Sequence, residues 1–345
     1  MEKIAFGAGN EKRFSDFISG LNEKDKIALI SHIDIDGVVS AKVANSVLNA
    51  DLLEFADYSE LNEDLVKKLK DNKIKKTVFT DLFIKDKEFL KSLEKFSDVM
   101  IIDHHLFVED LNSERTTFLN AQGYCGAYIS YNLFSRAQNL ENLDWLVAIA
   151  CVADFQFTKN AEWMSEVYEK HSEKFEPNLK DLEKVEKFWK PFINLSQGLI
   201  YFRKDIKRVY DSLGSGFGEI GDLEKYAGEV DKEIKSLVRK FESEKKTIRE
   251  GYFWEYESKF ALGSYVTTEI SLKYPNKTLV IGHTEDDGYY HFSARRQDGK
   301  ENMNDLLNNM AREMVDASTG GHAKAAGGHI FMRDVEEFKK RLGVC

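Results

Sequence analysis

Long apolar runs are missing from this 345-residue chain, cysteine is scarce, and basic charge does not predominate. No segment approaches the roughly 20 apolar residues that a bilayer-spanning helix needs, so a transmembrane helix is not expected. Met1 to Gly7 lacks a basic segment followed by an apolar one, which argues against a secretory signal peptide. Cys125, Cys151 and Cys345 are too few and too far apart for a disulfide framework, and a reducing cytoplasm fits best. The formal net charge of −10 argues against a surface that coats long duplex DNA. It favours small or short anionic substrates held in a local pocket, where bound metal ions would offset acidic charge.

Four short acidic and histidine motifs stand out, each at the end of an apolar run. They are His32-Ile33-Asp34-Ile35-Asp36-Gly37, Thr80-Asp81, Asp103-His104-His105 and Ala153-Asp154. Carboxylates and imidazoles belong in water unless something compensates their burial, and divalent cations would do so. Lys26–Ser31, Lys76–Asp81 and Asp98–Asp103 read as strands. Gly37–Ala50, Leu61–Lys70 and Lys85–Phe96 read as helices between them. This alternation predicts a parallel sheet with helices on both faces. Ligands gather beyond the carboxyl ends of such strands, so motifs distant in sequence are expected in one site.

The stretch from Asn160 to Asp211 is helical in pattern, and Leu213–Gly221 is dense in glycine. With no strand before it and no Gly-Lys-Ser/Thr after it, the glycine stretch reads as a linker rather than a phosphate loop. A helix from Glu224 to about Arg249 follows. Strand-like runs come next at Phe253–Glu257, Phe260–Leu262, Thr278–Gly282 and Tyr289–Arg295. A helix from Asn304 to Met314 and a last strand, His329–Met332, complete the chain. The expected organisation is a metal-binding α/β domain over residues 1–212, a linker over 213–223, and a smaller mixed-sheet α/β domain over 224–345.

In His32-x-Asp34-x-Asp36 the ligand types alternate, so in an extended segment they point the same way, towards one cluster. The competing reading makes Asp34 or Asp36 a helix cap. Asp81 and Asp154 are weak alone, as a turn residue and a helix end. Asp103-His104-His105 is stronger: adjacent side chains diverge, so one imidazole can bind metal while the other faces substrate, with Asp103 placed to orient one ring. Carboxylates with imidazoles suit Mn2+, with Mg2+, Co2+ or Zn2+ as alternatives. No cysteine falls in these motifs, which argues against a structural zinc site. Two such ions would activate a hydroxide against phosphorus and stabilise both the attacking and leaving oxygens.

Taken together, His32-x-Asp34-x-Asp36-Gly37, Asp81, Asp103-His104-His105 and Asp154 resemble the DHH phosphoesterase superfamily. Gly320-Gly321-His322 with Ala325-Ala326-Gly327-Gly328 resembles the substrate-binding domain often attached to it. The chain is similar to NrnA-type oligoribonucleases and RecJ-type exonucleases. The resemblance implies that His32, Asp34 and Asp81 hold one Mn2+, and that Asp36, Asp81, His104 and Asp154 hold the other, with Asp81 bridging. It implies that His105 contacts the scissile phosphate and helps protonate the leaving oxygen. It implies that Ser293, Arg295, Gly320, Gly321 and His322 bind substrate, with Arg296 the nearest rival to Arg295. His283 and His291 are expected to be structural or surface groups.

The implied activity is a metal-dependent phosphodiesterase acting on short oligonucleotides and dinucleotides, and on 3′-phosphoadenosine 5′-phosphate. A RecJ-like 5′–3′ single-strand exonuclease is the alternative. It would use a basic, aromatic track that Tyr201, Phe202, Arg203, Lys204, Lys207, Arg208 and Tyr210 could supply. A non-enzymatic nucleotide-binding scaffold is the third reading. Partners are a short oligonucleotide or nucleotide and no membrane, with room for a homodimer through the apolar helices of the first domain.

Overall fold

The computed structural model describes residues 4–285 and 287–344; Met1–Lys3, Asp286 and Cys345 lie outside the described residues. The chain divides into two compact units, Met1–Ala227 and Gly228–Cys345.

The first unit begins α1 (Glu11–Ser19), β1 (Ile27–Ser31), α2 (Ile35–Leu48), β2 (Leu52–Phe55), α3 (Glu63–Asp71) and β3 (Lys76–Thr80). It continues α4 (Lys87–Glu94), β4 (Asp98–Asp103), β5 (Thr116–Asn120), α5 (Gly126–Phe134) and α6 (Asp144–Ala153). Then come α7 (Ala161–Lys170), α8 (Leu179–Leu182), α9 (Glu186–Tyr201) and α10 (Ile206–Ser212), before α11 (Leu223–Glu244), a helix that continues into the second unit. The five strands form one sheet in the order β2-β1-β3-β4-β5, and every pairing is parallel.

Both faces of this sheet are buried, which is why its strands read as near-continuous apolar runs. Leu29, Val78, Met100, Ile102 and Leu119 face a core shared with α2, α5 and α6. Their neighbours Ala28, Ile30, Phe79, Val99, Ile101 and Phe118 face a second core shared with α3 and α4. From β1 the chain passes to β2 on one side, and the order then resumes with β3 on the other. The crevice at such a reversal lies outside the carboxyl ends of β1 and β3, where doubly wound sheets bind ligands.

The second unit contains β6 (Lys246–Ile248), β7 (Gly251–Tyr256), α12 (Gly263–Lys273), β8 (Thr278–Thr284) and β9 (Tyr289–Arg295). It ends with α13 (Met303–Met310), β10 (Ser318–His322), β11 (Ala325–Phe331) and α14 (Val335–Leu342). Its six strands are ordered β10-β11-β9-β8-β7-β6, parallel only between β7 and β8. Phe292, Ala294, Ala326 and Ile330 bury one face with Met303, Leu307 and Phe338. The expected architecture, a parallel-sheet domain followed by a mixed-sheet domain, is the observed one.

Residues 213–223, expected as a linker, are held by contacts of their own: Gly214 N–H bonds to the Glu219 carbonyl at 2.8 Å, and the Phe217 ring packs 4.0 Å from His171 and 5.4 Å from Trp145. An aromatic at the centre of the glycine stretch anchors it. Phe260–Leu262 is not a strand but the buried lead-in to α12, where Phe260 and Leu262 fill the core before the helix starts. Gly320-Gly321-His322 lies in β10, in an antiparallel hairpin with β11.

Candidate metal centre

The parallel register sets the ends of β1, β3 and β4 side by side: Ser31 opposes Thr80, and Thr80 opposes Ile102. The residues that follow are therefore neighbours in space. Ser31 Oγ donates to the Gly37 carbonyl at 2.6 Å and lies 2.7 Å from Thr80 Oγ1, which pins the β1–α2 turn to the end of β3. Gly37 is required in that turn, since a Cβ there would lie 2.2 Å from the His32 carbonyl oxygen. Asp81 leaves β3 in the left-handed region at φ +56, and its N–H is held by the Ile102 carbonyl at 2.9 Å. An aspartate tolerates this conformation better than most residues.

Asp34 serves both readings made from the sequence. Its Oδ1 caps α2 by accepting from Gly37 N–H at 2.9 Å, while its Oδ2 lies 2.9 Å from His32 Nδ1. Asp36 is inside the first turn of α2 and is buried. Its two oxygens accept the N–H groups of Gly126 at 2.6 Å and Ala127 at 2.7 Å, the first amides of α5. Those amides and the positive end of the helix dipole stabilise the carboxylate. Gly126 is needed there: a Cβ would lie 3.0 Å from Asp81 Cβ and 3.2 Å from Asp36 Oδ2.

His104 stands among three carboxylates. Its Nε2 is 3.2 Å from Asp81 Oδ1 and 3.7 Å from Asp36 Oδ2, and its Nδ1 is 3.5 Å from Asp154 Oδ2. His32 Nδ1 is also 3.6 Å from Asp81 Oδ2. The donors fall into overlapping groups: His32, Asp34 and Asp81; Asp36, His104 and Asp154; and Asp81, His104 and His105. Asp103 and His105 form a separate pair beside them. Asp103 Oδ1 lies 2.8 Å from His105 Nδ1, its Oδ2 accepts from His105 N–H at 3.1 Å, and Asn120 Nδ2 donates to the same oxygen at 3.2 Å. With the carboxylate facing Nδ1, the proton is assigned to Nδ1, and Nε2 of the half-exposed ring faces the Tyr58 hydroxyl at 3.4 Å.

Charges in this cluster resist one another. Burial pushes the Asp81 carboxyl up to about 8, with Asp34 and Asp103 adding to the rise and His32 opposing it. Asp36 rises well above the usual carboxylate range through burial and the charge of Asp81. Asp154 rises for the same first reason. Burial lowers His32, but the neighbouring carboxylates of Asp34 and Asp81 outweigh it and lift the imidazole to about 10. His105 is raised by its bond to Asp103. Both Asp81 oxygens and Asp154 Oδ2 are buried without a hydrogen-bond partner. Orphaned carboxylate oxygens gathered with imidazoles are the donor set of a divalent cation, so the residues fit such ions.

Three contributors were not read from the sequence. Tyr58 sits over the cluster, 5.5 Å ring to ring from His32, with its hydroxyl 3.4 Å from His105 Nε2. Asn120 ties His105 down, donating also to its carbonyl at 3.0 Å. The α5 amides hold Asp36. The one sequence signal for these was Gly126-Ala127 opening an apolar run directly after a turn.

In the second unit, strand register aligns Arg295 with Ala325 and His322 in one row, and Ser293 with Gly327 and Gly320 in the next. Residues two apart share a face, so Ser293, Arg295 and His322 lie on one side of the sheet, beside the glycine row. Gly321, one position off, belongs to the opposite face of β10 and has φ +141. Arg295 donates to Ser264 Oγ at 3.0 Å and to Thr268 Oγ1 at 3.3 Å. Arg296 is buried and engaged by Asp298 at 2.8 Å, Glu301 and Glu250, which removes it as a rival. His283 is buried and stacked on Tyr256 at 5.1 Å, and His291 pairs with Asp287 at 2.8 Å, in keeping with structural roles. Among the described residues no helix is long and apolar enough to cross a membrane.

Residues 26–153 match the DHH family, N-terminal domain, and residues 255–343 match the DHHA1 domain. Among curated proteins none matches the chain. Among solved structures, RecJ from Thermus thermophilus in complex with Mn2+ is similar at 15% identity and a TM-score of 0.70, covering 99% of this chain and 55% of that one. This chain thus spans about half the length of that relative. An exonuclease RecJ bound to manganese is similar at 14% identity and a TM-score of 0.71, covering 99% of this chain and 94% of the other. The pGpG-specific phosphodiesterase PggH from Vibrio cholerae is similar at 14% identity and a TM-score of 0.50, covering 92% and 97%. At these identities the likeness is one of fold, while the two domain matches, in order, fix the family: the chain belongs to the DHH phosphoesterase superfamily and carries a C-terminal DHHA1 domain.

Proposed function

We propose that this protein is a divalent-metal-dependent phosphodiesterase that hydrolyses very short oligonucleotides and dinucleotides, with 3′-phosphoadenosine 5′-phosphate as a further substrate. The observation that carries this reading is the sharing of Asp81: its two partnerless oxygens adjoin both the His32–Asp34 pair and the His104 group. In this reading His32, Asp34 and Asp81 hold one ion, and Asp36, Asp81, His104 and Asp154 hold the other, most simply Mn2+. When bound, such ions supply Lewis acidity and neutralise charge that develops on a phosphate.

The chain's own residues do the rest. Asp103 keeps the His105 proton on Nδ1 and the ring fixed, so Nε2 can meet a phosphate oxygen and hold a proton for the leaving oxygen. Tyr58 yields its contact with Nε2 as substrate arrives. Arg295, already oriented by Ser264 and Thr268, grips a phosphate through a charge-assisted fork. His322 and the backbone around Gly320 and Gly321 approach the nucleotide.

A second reading, processive exonuclease action on long single strands, is favoured by the aromatic cluster of Tyr201, Phe202 and Tyr226, with Arg208 lying 6.0 Å from the Phe202 ring. Against it, Lys207 is paired with Asp211 at 2.7 Å and Arg208 with Asp222 at 3.0 Å, so much of that cationic charge is already used. The test is a chain-length series of labelled RNA and DNA, from dinucleotide to about thirty nucleotides, with Mn2+. Rates that collapse beyond a few nucleotides support the short-substrate reading; sustained digestion of the longest members overturns it.

A further inference from the structure

Helix α6 ends in a Schellman turn directly at the metal centre. Phe155 N–H bonds to the Val152 carbonyl at 3.2 Å, and Gln156 N–H to the Cys151 carbonyl at 2.9 Å. The residue after the C-cap in this motif takes the left-handed conformation and is most often glycine. Here it is Phe155, at φ +55. For a bulky aromatic side chain that conformation is disfavoured. Packing does not repay it, because Phe155 is 65% exposed.

Its position is informative. Phe155 directly follows Asp154, whose Oδ2 lies 3.5 Å from His104 Nδ1. The other exposed large apolar side chains of the first unit, among the described residues, are Tyr58, Leu106 and Val108. Leu106 and Val108, 82% and 98% exposed, follow His105, and Tyr58, 36% exposed, contacts His32 and His105. The exposed apolar groups of this unit are thus close in sequence to cluster residues, and Tyr58 touches the cluster directly.

We infer that Phe155 is a stacking platform for a substrate nucleobase. The inference rests on the phosphodiesterase reading and names what it leaves open: the part of the substrate next to the scissile phosphate that the first unit recognises. A flat aromatic face in water, beside a cluster suited to a phosphodiester, matches a base, and stacking of this kind tolerates any base because each has a π-face. Recognition would be by base presence and not by base identity.

The test is a cycle between protein and substrate. Wild type, Phe155→Ala, Phe155→Gly and Phe155→Trp are assayed with Mn2+ on a dinucleotide and on its two abasic analogues, each lacking one base. We expect Phe155→Ala and Phe155→Gly to lower kcat/KM on the intact dinucleotide by about 10-fold. They should lower it by less than about 2-fold on the analogue whose missing base is the stacked one, since that contact is already gone. Phe155→Trp should keep the wild-type preference. Phe155→Gly should also melt higher than wild type, because glycine is the preferred residue at this turn, so its lost activity cannot be lost folding. Equal losses on intact and abasic substrates, or no loss, would overturn the inference while leaving the phosphodiesterase reading in place. A wild type that cleaves none of the three would overturn both.

Discussion

Replacing Asp81 by asparagine should make the metal-free protein more stable and the metal-loaded protein inactive. Asparagine accepts the left-handed backbone at φ +56 about as well as aspartate, so the turn after β3 survives. What changes is a buried carboxyl that burial lifts from 3.8 to about 8. Below pH 3.8 the group is protonated in folded and unfolded chains alike. Above it the unfolded chain releases the proton and the folded chain keeps it, so the contribution to stability is lost progressively as the pH rises through about 8. Asparagine does not titrate and escapes that loss. One unit is worth about 1.4 kcal/mol, but His32 shares the charge and buried sites relax, so a gain on the order of 1–3 kcal/mol at pH 8 is expected. That corresponds to a rise in Tm of roughly 2–12 °C for the unit that carries the site. Calorimetry of chelator-treated wild type and variant reads it directly, and the difference should shrink towards pH 4. Adding Mn2+ should raise the Tm of wild type and leave the variant nearly unmoved, with turnover down by at least about 100-fold. A variant that melts lower without metal, or that hydrolyses dinucleotides at the wild-type rate with it, would refute the reasoning.

Gly126→Ala places a methyl group 3.0 Å from Asp81 Cβ and 3.2 Å from Asp36 Oδ2 in a buried space, so Mn2+ affinity should fall and stability drop by about 1–3 kcal/mol, as read by metal titration and melting. Asp103→Asn leaves the cluster donors in place but cannot accept all three donors that Asp103 now receives; kcat should fall about 10–100-fold with the bound metal content unchanged. Arg295→Ala should weaken binding of short substrates by about 1.5–3 kcal/mol with little change in Tm, whereas Arg296→Ala, which strips a buried guanidinium from Asp298, Glu301 and Glu250, should chiefly lower Tm.

The parts of the fold that carry the centre were legible because β1, β3 and β4 are buried, largely apolar strands that end in or directly before histidine or aspartate. The edge strand β2, Leu-Leu-Glu-Phe, was not: it is four residues long and half-buried throughout. Strand β5 also escaped, since its Thr-Thr-Phe-Leu-Asn run is short, with polar residues at both ends. Helix α12 was hidden by its Tyr, Val, Thr and Ile content, residues that favour strands until tertiary packing overrides them. In the centre, the donor types could be read because each sits where a strand or helix ends. Tyr58 and Asn120 could not, because their roles come from tertiary contacts, and an aromatic and an amide carry no spacing that announces them. Phe155 was visible in the sequence only as the residue after Asp154; its meaning came from a backbone angle and its exposure.

The most direct test of a paired metal centre sharing Asp81 is a Mn2+ titration of chelator-stripped protein, followed at once by binding calorimetry and by hydrolysis of a labelled dinucleotide. The account predicts two equivalents bound and turnover that rises only as the second site fills. One equivalent, or none, with turnover already complete would contradict it.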